Sequence, residues 1–283
     1  RMGLFYLFIV VVAITATALV AKLASLKGIT PLDLATALFI VSTILGLVVL
    51  WPRLPIEIPG EALLFSTAAG VGGSLAVLAF NAAIRVGHFG FSNAIYRASF
   101  LVPVVYAILF LGAVLKFTTI AGIVLVLSAI FLMSCSTSSF QKGKKIEFRW
   151  FLLIILAFLL SGAPRVGQAL TSSHGVDYFL YLFLSYMTGT LVLAAFAGVK
   201  RSFNPASIPW GSAAAVSSYA SVFCTLKALD SLQPQVVFPI SLSGPIALGV
   251  LLSLFMFKER IRPSGWVGIL LGIAGIAILA IWR

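Results

Sequence analysis

The sequence predicts an all-α integral membrane protein with ten transmembrane helices in two inverted five-helix repeats. Three observations predict it. The first is composition: of 283 residues, 61% are hydrophobic and 9% charged, and the mean hydropathy is +1.15. A soluble domain is about 25% charged. A single water-facing core of this length cannot bury so much apolar surface. The second is segmentation: ten apolar runs each approach the roughly 20 residues a helix needs to cross a bilayer core of about 30 Å. The third is an internal similarity between the halves at an offset of about 146 residues.

The runs lie near residues 4–26, 31–51, 61–84, 89–115, 117–136, 150–172, 178–199, 208–230, 235–257 and 263–282. The first closes at Lys22–Lys27 without a cleavage motif, so no cleavable signal peptide is expected. The acidic residues mark helix ends: Asp33 near the start of the second run, Glu57 before the third and Glu61 at its start, Asp177 before the seventh and Asp230 at the end of the eighth. His88 and His174 fall in turns and are expected at the interface. The longest polar stretch, Ser136–Arg149, carries Lys142, Lys144, Lys145 and Glu147 and reads as a linker. Residues 1–137 and 149–283 are then the two repeats, with 138–148 between them.

The repeat rests on short matches. Thr15-Ala16 aligns with Ser161-Gly162, Gly28 falls near Gly175, and Thr119–Ile123 aligns with Gly265–Ile269. Five helices per half is an odd number, so the second copy enters the membrane reversed. That plan is common in secondary transporters, which hold substrate near the midplane between the copies.

The net charge of +12, from 19 basic and 7 acidic residues, suggests nucleic acid in a soluble protein, but here it concerns membrane topology. Cys135 and Cys224 sit in apolar runs without CxxC or His partners and read as small buried hydrophobes. No catalytic triad, phosphate loop, zinc motif or nucleotide fingerprint occurs. The expectation is therefore a non-enzyme without metal or cofactor, with a small-molecule substrate and membrane lipids as partners, and a monomer in preference to a homodimer.

Ionisable groups inside a membrane are costly and mark function or pairing. Four basic residues fall within predicted helices: Lys22, Arg97, Arg165 and Lys227. Arg97 and Arg165 are deepest, on opposite sides of their helix midpoints, and are expected to bracket a midplane chamber from above and below. Ser161, Arg165, Gln168 and Ser172, at i, i+4, i+7 and i+11, share one helix face. Asn93 and Arg97 share another, with Tyr96 beside them. Asn81 lies on a polar face of the third helix, and Tyr219 and Lys227 lie on one face of the eighth. Lys227 and Asp230, at i, i+3, either line the chamber or neutralise each other. The candidate substrate-binding residues are thus Arg97, Arg165, Tyr96, Gln168, Asn81, Tyr219 and Lys227. Gly265, Gly268, Gly272 and Gly275 form a smooth face suited to close packing within the bundle. Pro103, Pro239 and Pro245 are expected to weaken or kink their helices.

The last two helices carry Pro245, then Lys258-Glu259-Arg260, then Gly268 and Gly275. In this the chain resembles the ten-helix EamA-type members of the drug/metabolite transporter superfamily, over nearly its whole length. The first half departs from the pattern. Pro103 and Gly122 fit, but Gly112–Lys116 stands where a glutamate would, and the proline-to-glycine spacing is about one helical turn shorter. The resemblance implies two inverted bundles around a central cavity, lined mainly by the first, third, fourth, sixth, eighth and ninth helices.

Small multidrug-resistance relatives use a buried glutamate in their first helix. Here that stretch reads Ile14-Thr15-Ala16-Thr17, and its repeat equivalent reads Ser161-Gly162-Ala163-Pro164, so cationic-drug exchange on that chemistry is not expected. Deep arginines favour an anionic or zwitterionic solute, because the planar guanidinium fork binds two oxygens at once. The expected function is secondary transport of an amino acid, organic acid or phosphorylated metabolite by alternating access. The alternative is a lipid-headgroup or lipid-carrier flippase with a basic groove. The expected location is a bacterial or archaeal inner membrane. Eleven basic residues fall on one side and four on the side of the termini, which places the termini outside, whereas the resemblance implies cytoplasmic termini.

Overall fold

A computed structural model describes residues 2–86, 89–110, 112, 116–137, 148–200, 203–257 and 263–281. Among the described residues the chain is helical, with no strand. The helices are α1 (Met2–Leu26), α2 (Pro31–Leu50), α3 (Gly60–Val86), α4 (Phe89–Arg97), α5 (Leu101–Phe110), α6 (Phe117–Thr137), α7 (Phe148–Ser173), α8 (Tyr178–Lys200), α9 (Ile208–Leu229), α10 (Pro234–Phe257) and α11 (Pro263–Ile281). Six spans among the described residues are long and apolar enough to cross a membrane. Large apolar side chains face outward on several of them, such as Phe8, Leu64, Leu109 and Leu191. Lipid-facing helices need such a surface.

Nine expected runs agree with single helices to within about two residues. The fourth differs in two ways. It ends at Phe110, because Gly112 takes the left-handed conformation at φ +64° and stops the helix. It is also broken. Pro103 has no N–H to bond the Ser99 carbonyl, and its ring crowds that carbonyl. Residues Ala98–Phe100 tighten into a 3-10 turn in which the Leu101 N–H turns to Ala98 and Ser99. Arg97 ends α4 at this break. Pro239 and Pro245 leave α10 continuous, and the Ser243 hydroxyl donates to the Pro239 carbonyl at 2.7 Å. The Lys258–Arg262 turn, His88, the 138–147 linker and the Cys135 side chain lie outside the described residues; Cys224 is buried and free.

Small residues set the helix packing. α3 runs antiparallel to α7, with Gly72 against Ala163, Gly73 against Pro164 and Gly167 against Ala69. α6 runs antiparallel to α11: Gly122 meets Leu279, while Gly268 meets Met133. α2 and α8 are antiparallel through Phe39 on Gly189 and Gly46 on Phe183. α1 and α9 are antiparallel through Gly3 on Leu232 and a Thr17–Ser217 hydroxyl bond of 2.8 Å. Residues without bulk let backbones approach where no hydrophobic force drives helices together. α10 is central: every residue from Gln235 to Pro245 is buried. α4 and α5 run parallel to α7, fixed by the Trp150 Nε1 donor on Ser92 at 2.9 Å and by Val102 on Gly162.

Candidate functional site

Pro164 lies inside α7, which stays one continuous helix, unlike the α4–α5 span that breaks before Pro103. It has no N–H for the Leu160 carbonyl, four residues earlier. Gly72 of α3 closes on that loosened segment; a side-chain carbon there would stand 3.2 Å from the Leu160 oxygen. The Tyr181 hydroxyl donates to the Pro164 carbonyl at 2.9 Å. Arg165 follows immediately, and its guanidinium donates to the Ser161 carbonyl. Its side chain therefore runs back along α7, as the tilt of Cα–Cβ bonds toward a helix N-terminus favours.

This back-folding changes the expected arrangement. By backbone register Arg165 stands well beyond Arg97 along the parallel α7, as the separation about the midplane suggested. The long side chain shortens that gap. Both guanidiniums are electrostatic neighbours of the Tyr96 phenol and of each other. Both arginines thus act through space on the same tyrosine. Among the described residues neither meets a carboxylate; the ionisable groups facing them are Tyr96, Tyr181 and one another.

The other candidates divide. Tyr96 packs on Phe80 with ring centroids 4.6 Å apart. Asn81, one residue on in α3, stands level with Tyr96 in the packing register and donates its amide to the Val77 carbonyl at 2.8 Å. Gln168 is buried on the Arg165 face of α7 and makes no side-chain hydrogen bond among the described residues. Tyr219 lies apart on α9, its ring stacked 6.1 Å from Tyr186 and its buried hydroxyl without a hydrogen-bond partner among the described residues. Lys227 lies in the last turn of α9. It pairs with Asp230 at 3.6 Å and sits over the Tyr178 ring at 4.9 Å, so its charge is met at the bundle's end.

Sequence reading missed the tyrosines of α8. Tyr181 and Tyr186 are buried and link the arginine cluster to Tyr219; Tyr186 also bonds Ser218 at 2.9 Å. Their only signal was two polar atoms in an aromatic-rich run. Asp33 does more than mark a helix start. Thr30 caps α2 through it, and its carboxylate accepts from the Asn204 amide at 3.2 Å. His174 is exposed and bonded to Leu170 and Ser173.

A polytopic helical bundle with small-residue seams and a polar, cationic cluster in its apolar interior defines an integral membrane protein of the transporter type. The family model described as the EamA-like transporter family matches residues 1–135 and 148–281, and the chain belongs to that family. This places it in the drug/metabolite transporter superfamily. An uncharacterized protein of Haemophilus influenzae is 26% identical over 191 residues, covering 66% of this chain and 65% of that protein. A solved crystal structure matches with a TM-score of 0.78 at 13% identity, covering 99% of this chain and 96% of that one, which is a likeness of fold.

Proposed function

We propose that the chain is a secondary transporter for a small anionic or zwitterionic polar solute, moved by alternating access, with Arg97 and Arg165 meeting the solute's acidic group. The observation that carries this reading is that two half-buried arginines share the Tyr96 phenol as an electrostatic neighbour, with no carboxylate beside them among the described residues. Two like charges drawn partly out of water are costly to hold together. An anion between them repays that cost, and a cation adds to it. Tyr96, Gln168 and Asn81 supply orienting hydrogen bonds, and Gln168 has both amide atoms available for them. Tyr219 and Lys227 belong to the route toward one end of the bundle.

The inverted repeat belongs to the same proposal. Exchanging the halves carries the α3–α7 pairing onto α9–α1, α3–α8 onto α9–α2, and α4/α5–α7 onto α10–α1. It returns α2–α8 and α6–α11 to themselves, and both of these self-matched pairs are antiparallel. Helices related by reversal must be antiparallel, whereas a direct repeat makes them parallel. Rocking of one such half against the other supplies alternating access.

The test is uptake into proteoliposomes by the wild type, Arg97→Gln and Arg165→Gln, screened with amino acids, organic acids and sugar phosphates. A hydrogen bond to a charged group contributes about 1.5–3 kcal/mol. Each variant is therefore expected to lose roughly 10- to 100-fold in apparent affinity. Wild-type transport in both variants overturns the assignment.

A further inference from the structure

The end of the bundle where α7 and α9 finish and α10 begins holds a cleft of about 270 Å³, lined by Ala169, Ser172, Ser173, Leu229, Asp230 and Pro234. Its position sets it at the outer end of a polar helix face. Ser172 is the outermost member of the α7 polar face, followed inward by Gln168 and then Arg165. Ala169, on the cleft wall, is buried.

Asp230 ties the rim of this cleft together across three helices. Its carboxylate accepts from the Ser172 hydroxyl of α7 at 3.2 Å and from the Tyr178 hydroxyl of α8. Lys227 of α9 pairs with the same carboxylate and lies over the Tyr178 ring. Beside it, Arg53 ties the segment after α2 to Asp177 at 3.3 Å and lies over Phe179 at 4.1 Å. The groups at Asp230 are partly exposed, and exposed polar contacts of this kind contribute little each. They hold the helix ends together without locking them, which suits a contact that must break in every cycle.

We propose that this cleft is the solute entrance at this end of the bundle and that Asp230 is its gating residue, holding α7 and α8 against α9 until the entrance opens. Lys227 has a second part in this arrangement. By neutralising Asp230 it removes a negative charge from the path of an acidic solute. The proposal rests on the reading of the arginine cluster for what passes, but not for whether the gate exists.

The experiment separates the two. Ala169→Cys is placed in a chain whose native cysteines are replaced (Cys135→Ser, Cys224→Ser), and reconstituted protein is labelled with a membrane-impermeant methanethiosulfonate reagent, with no solute present. Labelling is expected to be slow with Asp230 intact. It is expected to accelerate at least 5-fold with Asp230→Asn or Tyr178→Phe, and to stay slow with Asp230→Glu. Size-exclusion profiles and melting temperatures near the parent's confirm that the variants are folded. Unchanged labelling in Asp230→Asn and Tyr178→Phe, or fast labelling in the parent, overturns the gate. The rate is read without solute, so failure here leaves the uptake result to decide the arginine assignment, and failure there leaves the gate standing.

Discussion

The hydroxyls of Thr43 and Thr190 hydrogen-bond at 2.9 Å across α2 and α8, and the two residues are 147 positions apart. One helical turn earlier, Phe39 and Tyr186 meet edge to face with centroids 5.5 Å apart, at the same separation. That separation matches the offset at which the halves align in sequence. In the proposed inverted repeat, equivalent positions touch where they flank the pseudo-twofold axis, and the crossing of α2 and α8 is one such place in that arrangement.

The α6–α11 crossing is the second. A side-chain carbon at Gly275 would stand 3.0 Å from both the Gly122 carbonyl oxygen and Val126 Cγ2. Gly275→Leu is therefore expected to destabilise by about 1–3 kcal/mol through overpacking, read as a lowered melting temperature in detergent. Gly198 has nothing within 4 Å of the corresponding position, and Gly198→Ala is expected to leave the melting temperature unchanged or slightly raised.

Asp33 is buried, and its carboxylate accepts from the Thr30 hydroxyl at 2.7 Å and the Asn204 amide at 3.2 Å. Asp33→Ala removes one acceptor from each donor and uncouples the α2 start from the segment before α9. A loss of about 1–3 kcal/mol is expected. Asp33→Asn keeps one acceptor oxygen and is expected to lose less. Thermal unfolding of the purified protein measures both.

Pro164→Ala restores an N–H for the Leu160 carbonyl next to Arg165. The variant is expected to be as stable as the wild type or more so, because the helix gains a backbone hydrogen bond. Uptake is expected to slow, since the segment that bears Arg165 and receives Tyr181 becomes stiffer. Parallel melting and initial-rate measurements test the divergence. A loss of stability together with rate shows that the proline's part is structural only.

Arg165→Lys keeps the charge but not the fork. Lysine offers a compact point charge and cannot engage two oxygens in one plane. The half-saturation concentration for an acidic solute is expected to rise roughly 10-fold, corresponding to about 1.4 kcal/mol, with a smaller change in maximal rate. Equal affinity in the two proteins shows that only charge is used.

Orientation is open to a direct reading. The distribution of basic residues predicts that a reporter fused to the C-terminus lies outside, where alkaline phosphatase is active and a green fluorescent fusion is dark. A fluorescent, phosphatase-negative pair places the termini inside and shows that the charge bias does not set the topology.

Composition and periodicity by themselves determined the class and the bounds of nine helices to within about two residues; the fourth run stops five residues early, where Gly112 ends the helix. These follow from one physical demand: each crossing needs about 20 apolar residues, and polar residues must gather where it ends. Arg97 and Arg165 were legible for the same reason, as charges where charge is expensive. Where they point was decided only by the tertiary structure. Helix midpoints set the two arginines apart, but the helix that bears Arg97 breaks just after it, and the Arg165 side chain runs back toward Ser161. The reach of a long side chain does not appear in a linear count of residues. Nor does partner choice. Lys227 reads equally as chamber or pair until Asp230 and Tyr178 meet it, and Tyr178 comes from another helix. Sequence records the cost of burying each group; packing decides which group repays it.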